Sequence, residues 1–310
     1  MELFGRRFFE NNALSGVVMI IIAEIIFGIG TVMLDIVQKT FPIALMLGLR
    51  GLFAGIALSI ITHRYWSKLQ ISDVIGLIVS SWLGLSFMQF IFSYGISLTN
   101  AMVASVVLAL QPIVLYFFSV GYLKEKFNPR ILVGSVVSLC GVLLIVFDKQ
   151  VGGGGQSTIG GFILLASLFL DCFGVVTKKR LMKRLGALQI VSLNFLFGSI
   201  PLLFYAWLNN EFLALPKVSM QSWLAFSYLL FVSGILAFAM YYFALKRVSV
   251  ERTSVYNYLM PVVGVVASIF ILGTEPDAKF ALGAVLVSSG LIISQIKLPH
   301  TTHLIHKHRH

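Results

Sequence analysis

The chain reads as an all-α membrane protein: ten transmembrane helices in two inverted five-helix repeats, with both termini cytoplasmic. Three observations lead there. Hydrophobic residues make up 58% of the 310 residues and charged residues 11%, where a soluble domain carries about 25% charge. The apolar residues fall into ten stretches, each about 20 residues long and so matched to a bilayer core. The second five stretches echo the first: with Pro261 laid on Pro112, an offset of 149, Ser254 falls on Ser105, Leu259 on Leu110, Gly283 on Gly134 and Gly290 on Gly141 without a gap. Two copies of an odd number of helices lie in opposite orientations, which is the inverted-repeat plan of secondary transporters.

The first repeat, residues 1–150, holds spans at 13–33, 42–62, 71–92, 100–121 and 130–147. A Gly-rich linker follows at 151–157, and the second repeat, 158–298, holds spans at 158–176, 187–208, 221–244, 253–273 and 279–296. A His-rich cytoplasmic tail, 299–310, ends the chain. With no water in the hydrocarbon, each span must satisfy its own backbone groups as a helix. The first stretch follows Arg6 and Arg7 but is long enough to span and lacks a small-residue cleavage site, so it reads as a helix and not a leader. Pro112 and Pro261 stand at matched places in the fourth and ninth spans. A proline inside a helix removes a backbone hydrogen bond, so the two are candidate hinges of alternating access, a static kink being the alternative. The glycines Gly152 to Gly155 are followed by no Lys and so form no phosphate loop.

Charge placement excludes other classes. Net charge is +11, yet 18 of the 23 Lys and Arg fall in the N-terminus, the tail and the alternate loops between them. The remaining loops hold only Lys39, Lys149, Lys217 and Lys279, and Arg50 is left inside a span. That is the positive-inside signature, whereas a nucleic-acid groove needs contiguous cations. The sole His outside the tail is His63, in a loop, so neither a metal site nor a cofactor is expected, and with no clustered nucleophile the chain is not an enzyme. Cys140 and Cys172 read as packing residues. A pore would call for repeated polar rings, which single embedded charges do not supply. The expected partners are a small-molecule substrate, membrane lipid and protons, with a monomer as the unit and a dimer left open.

Embedded polar residues mark the site. Glu24 lies near the middle of the first span, where an anion costs several kcal/mol unless paired, hydrated or protonated. Such a carboxylate holds a proton or a cationic substrate in competition, the simplest chemistry for exchange; the alternative is a structural pair with Arg50. Phe27 and Thr31 share its face at i+3 and i+7. Asp171 occupies nearly the matching place in the sixth span and is the second proton-coupling candidate, with pairing to Lys178 or Lys179 as its alternative. Arg50 meets one of these carboxylates or binds a substrate carboxylate bidentately. Asn194, its counterpart, reads as an interhelical hydrogen bond. Gln89, Tyr94, Tyr242 and Asn257 complete the substrate-binding set, with Gln111, Tyr241 and Tyr256 beside them.

Ala101-Met102-Val103-Ala104-Ser105, Leu110-Gln111-Pro112, Leu123-Lys124-Glu125-Lys126 and the pair Gly134 and Gly141 are repeated as Tyr258-Leu259-Met260-Pro261, Leu272-Gly273-Thr274-Glu275, Gly283 and Gly290. In this the chain resembles the EamA-type branch of the drug/metabolite transporter superfamily over almost its whole length. It departs from that pattern in having Phe27-Gly28 where Trp-Gly is common. Ala23-Glu24 followed by Gly30-Thr31 is similar to the first helix of small multidrug resistance proteins, which implies a proton and cation site at Glu24. The resemblance implies a carrier in the bacterial inner membrane, exporting amino acids or related metabolites, with organic-cation efflux or facilitated metabolite uptake as alternatives.

Overall fold

The computed structural model describes residues 12–123, 129–146, 155–182, 184–245, 256 and 259–295, and among these every regular element is helical. The first two spans are unbroken helices, α1 (Asn12–Val37) and α2 (Ile43–Thr62). The third is composite: α3 (Ile71–Ser81), a π-helical segment Trp82–Phe87, and α4 (Met88–Leu98). The fourth divides into α5 (Ala101–Leu108) and α6 (Gln111–Leu123). Then come α7 (Pro129–Val146), α8 (Gly155–Leu181) and α9 (Ala187–Leu208). The eighth span repeats the composite form as α10 (Met220–Ser227), a π-helical segment Tyr228–Ala237 and α11 (Phe238–Leu245). α12 (Leu259–Leu272) and α13 (Ala278–Gln295) end the described chain. Six of these stretches are long and apolar enough to cross a membrane, beginning with Leu14–Val37; Leu132–Ile145, Leu259–Leu272 and Ala278–Gly290 are shorter apolar helices.

Three boundaries differ from the sequence reading. Gly155 already opens α8, so the linker ends by 154. The third span runs on to Leu98, six residues past its expected end. The fourth span is not one kinked helix: it breaks at Ala109 and Leu110, and Pro112 is the second residue of α6. At that place the missing N–H of proline is one the helix start leaves unused anyway. Pro261, buried, is likewise close to the described start of α12. The Gly-rich residues 151–154 and the His-rich tail lie outside the described residues.

Helix ends are closed by side chains. Asn100 accepts from Val103 N at 2.9 Å, and Gln70 and Asp73 form a capping box on α3. Leu45 N, one of the N–H groups that the first turn of α2 leaves free, donates to Glu211 Oε2 at 2.8 Å from the 3₁₀ turn Glu211–Lys217. Inside α9, Pro201 denies Phe197 O its usual i+4 donor. The Trp82 indole supplies a donor instead, at 3.2 Å, and the Ser86 hydroxyl donates to Gly198 O at 2.6 Å. Asn194 Oδ1 accepts from both Ser80 and Ser81, at 2.9 and 2.6 Å, the interhelical bond its sequence position predicts.

Two helix pairs share the most extensive contact. In α2 and α9, Gly48 faces Leu203, Gly51 faces Phe195 and Ser199, and Gly55 faces Leu196, so the numbers descend along α9 and the pair is antiparallel. In α7 and α13, Gly141 meets Gly283 and Gly134 meets Gly290, again antiparallel, and midway Ser138 donates to Val287 O at 3.0 Å.

Candidate functional site

One cavity of about 290 Å³ gathers most of the embedded polar residues. α1 contributes Glu24, Phe27 and Thr31, the predicted face, and α2 contributes Arg50. α4 brings Gln89 with Met88 and Phe92, and Gln111 enters from the break between α5 and α6. α8 presents Ser167 and Asp171 one turn apart. The second π-helical segment adds Ser233, α11 adds Phe238 and Tyr241, and α12 adds Met260. Four of the seven substrate-binding candidates, Glu24, Phe27, Arg50 and Gln89, therefore share one space, together with Asp171. Tyr94 does not line it and is 46% exposed. Asn257 and the side chain of Tyr242 lie outside the described residues; the neighbouring Tyr241 lines the cavity.

The polar groups differ in how they are held. Glu24 is 3% exposed. Asp171 Oδ2 accepts a short hydrogen bond from Gln111 Nε2, which ties α8 to the first residue of α6. Cys172 Sγ reaches Gln111 O at 3.7 Å, so the thiol is spent on packing against the same break. Arg50 is 9% exposed, forms no ion pair with Glu24, Asp171 or any other described residue, and its buried Nε has no hydrogen-bond partner among them. The expected alternative, a structural Glu24–Arg50 pair, is thus absent among the described side chains. The Thr31 hydroxyl donates to Gly28 O at 2.7 Å and lies 3.3 Å from the Ser105 hydroxyl, joining α1 to α5. Phe27 stacks edge-on against Phe238 at 5.0 Å, and the Tyr228 hydroxyl donates to Ile26 O at 2.9 Å, so α1 and the eighth span are tied beside the cavity.

A larger hollow of about 510 Å³ between α6, α7 and α8 is lined by Leu110, Phe117, Phe118, Leu139 and Phe169. It holds no charged side chain, and chemistry rather than size assigns the site to the smaller cavity. Among the described residues, no group of three or more His, Cys, Asp or Glu is placed to hold a metal ion. Ser167 and Ser233 were not singled out by sequence; the first was detectable as the residue one turn before Asp171, the second lies in a π-helical stretch whose register an α-helical period does not follow.

The EamA-like transporter family matches the chain twice, at residues 14–147 and 158–295. The chain belongs to that family. The EamA-like assignment agrees with curated relatives. An "uncharacterized transporter YetK" of Bacillus subtilis is 25% identical over 89% of this chain and 85% of its own. An "uncharacterized inner membrane transporter YicL" of Salmonella typhimurium is 27% identical over 90% and 94%, and a "probable amino-acid metabolite efflux pump" of Escherichia coli is 25% identical over 89% and 93%. A crystal structure aligns with a TM-score of 0.62 at 17% identity, over 92% of this chain and 96% of that one, a likeness of fold. This EamA-like transporter is therefore an integral membrane protein of the drug/metabolite transporter type, and its relatives include bacterial inner-membrane transporters.

Proposed function

We propose that this EamA-like transporter is a secondary carrier that moves small polar metabolites, amino acids foremost, out of the cell by alternating access coupled to protons. The observation that carries the reading is the cavity itself: embedded carboxylates and a guanidinium, contributed by helices from both halves of the chain, facing one space of about 290 Å³. Embedded ionisable groups in a bundle interior mark substrate and proton pathways.

The architecture we propose is ten spans in two inverted repeats, 1–150 and 158–298, with both termini cytoplasmic. The doubled family match supports it. So does helix direction: α2 and α9, second in their halves, are antiparallel, and so are α7 and α13, fifth in theirs. Equivalent helices that meet antiparallel belong to halves of opposite orientation. In this scheme Glu24 and Asp171 exchange protons for substrate, Phe27 and Gln89 contact substrate, Pro112 and Pro261 mark where the half-helices start and hinge, and the halves rock about the cavity. The amino-acid class draws support from the name of the Escherichia coli relative.

The test is counterflow in proteoliposomes loaded with an unlabelled amino acid and diluted into a labelled one. Saturable, trans-stimulated uptake is expected; flux that rises linearly with concentration and ignores the internal amino acid overturns the carrier reading.

A further inference from the structure

We propose that Arg50 is an anion-binding residue of the central cavity, so that the substrate is a compound with a carboxylate and an apolar body rather than an organic cation. The proposal deepens the carrier reading and rests on it for the word substrate; the binding claim stands on geometry alone.

Arg50 sits in the third turn of α2, seven residues after Ile43, and is 9% exposed. A buried guanidinium without a counter-charge is strongly destabilising, because desolvation is not offset. Proteins offset it with a nearby carboxylate, and two line the same cavity. Neither forms an ion pair with Arg50, and its Nε remains without a hydrogen-bond partner among the described residues. Asp171 is instead engaged by Gln111 across the break in the fourth span. The positive charge is thus presented to the cavity rather than cancelled within the wall, and the missing negative charge is one the occupant brings. Guanidinium geometry favours a planar, two-oxygen anion held by parallel N–H bonds, which is a carboxylate.

The backing of Arg50 fits an anchor. Gly51, the next residue, lies so close to α9 that a Cβ there would come within 3.2 Å of Phe195 O, which fixes the turn of α2 that carries the guanidinium. A rigid support of this kind is what a positioned charge needs. The rest of the lining is mainly apolar, with Phe27, Phe92, Phe238, Met88 and Met260 among it, and suits an uncharged hydrocarbon body. A cationic ligand without an acid group would add a second positive charge beside Arg50.

Three probes of equal carbon skeleton separate the charges: leucine, a zwitterion; 4-methylpentanoate, an anion; and leucinamide, a cation. Binding to the full-length protein in nanodiscs is measured by calorimetry. The proposal expects leucine and 4-methylpentanoate to bind and leucinamide to bind at least roughly 30-fold more weakly, since truncating one partner of a buried charged pair costs 2 kcal/mol or more. R50Q should remove that discrimination, bringing acid and amide to within about threefold of one another, while R50K, which keeps the charge but not the fork, falls between. Leucinamide binding as well as leucine, no binding by any probe, or an acid preference that survives R50Q overturns the proposal. If R50Q does not fold, the wild-type acid-to-amide ratio and R50K decide. Counterflow of the same probes separates the two readings: acid-selective binding without saturable exchange would leave Arg50 as the anion site and sink the carrier, and exchange indifferent to the carboxylate would do the reverse.

Discussion

The α7–α13 seam and the central cavity solve opposite problems in one bundle. At the seam, small residues let two backbones touch: a Cβ added to Gly141 would come within 2.5 Å of Gly283 O, and one added to Gly283 within 2.7 Å of Gly141 O. In lipid there is no hydrophobic drive between helices, so such contact and the Ser138 hydrogen bond hold them together. The cavity does the reverse, keeping helices apart and leaving Arg50 without a protein partner among the described residues. One region is stabilised by closeness and carries no chemistry, while the other gives up packing to hold charge. Substitutions should therefore divide cleanly, the seam failing in stability and the cavity in transport.

The largest effect expected is Gly141→Leu, whose side chain must displace backbone rather than a flexible neighbour. We expect loss of the folded protein, or a destabilisation above about 3 kcal/mol, read as the monodisperse yield and melting temperature in detergent. Gly121 is the control: among the described residues a Cβ there meets nothing within 4 Å, and Gly121→Ala should be neutral or stabilising by up to about 1 kcal/mol. Equal tolerance at both positions would mean that the seam is not a tight contact.

In the cavity the order is reversed. Glu24→Gln should melt within a few degrees of wild type yet abolish proton-linked exchange, measured as amino-acid counterflow with and without an imposed pH gradient. Asp171→Asn should cost less, because the amide oxygen still accepts from Gln111 and the tie to α6 survives. If Asp171→Asn stops exchange and Glu24→Gln does not, the two carboxylates trade roles.

How much of this was legible in the sequence follows from what each region depends on. The matched glycines Gly134 with Gly283 and Gly141 with Gly290 are a pattern of residue type at fixed spacing, and the structure uses those residues at the seam. Glu24, Phe27 and Thr31 were readable as one face because α1 keeps an α-helical period through them. Period fails where the helix is not α. The π-helical segment Tyr228–Ala237 shifts register within the eighth span, which concealed Ser233. Tyr94 misses the cavity for a plainer reason, since it lies five residues after Gln89 in one α-helix and so on a different face. The break at Ala109 and Leu110 was hidden for another reason: Pro112 announces a disturbance, but proline is compatible with both a kinked helix and a new helix start. Nor did composition disclose that Arg50 would stand apart from both carboxylates, since pairing depends on side-chain placement across helices.

A smaller effect probes a region between seam and cavity, where the third span leans on α9. Trp82 donates to the Phe197 carbonyl that Pro201 leaves without a helical partner. Trp82→Phe keeps the ring and removes the N–H, and should cost about 1 kcal/mol, the usual net worth of a hydrogen bond. The double variant Trp82→Phe with Pro201→Ala should recover most of that loss, because alanine restores the i+4 donor. Additive losses in that cycle would show the bond to be incidental.

The smallest effect lies outside the bilayer and turns on Glu211. Its carboxylate accepts from Leu45 N at the start of α2. Burial, the larger influence, lifts its pKa above the ordinary value of 4.5, and the hydrogen bond pulls it partly back. A folded-state pKa above the unfolded one means that the folded protein holds this proton more tightly. The associated stability is therefore complete below about pH 4.5 and is lost as pH rises through the folded-state value. Against wild type, Glu211→Gln should flatten the fall in melting temperature across that window while its amide oxygen still accepts from Leu45 N. The group is partly exposed, so the difference should be a degree or two and should leave counterflow unchanged. A transport change of the size seen for Glu24→Gln would instead mean that the turn Glu211–Lys217, through α2, governs the wall of the cavity that carries Arg50.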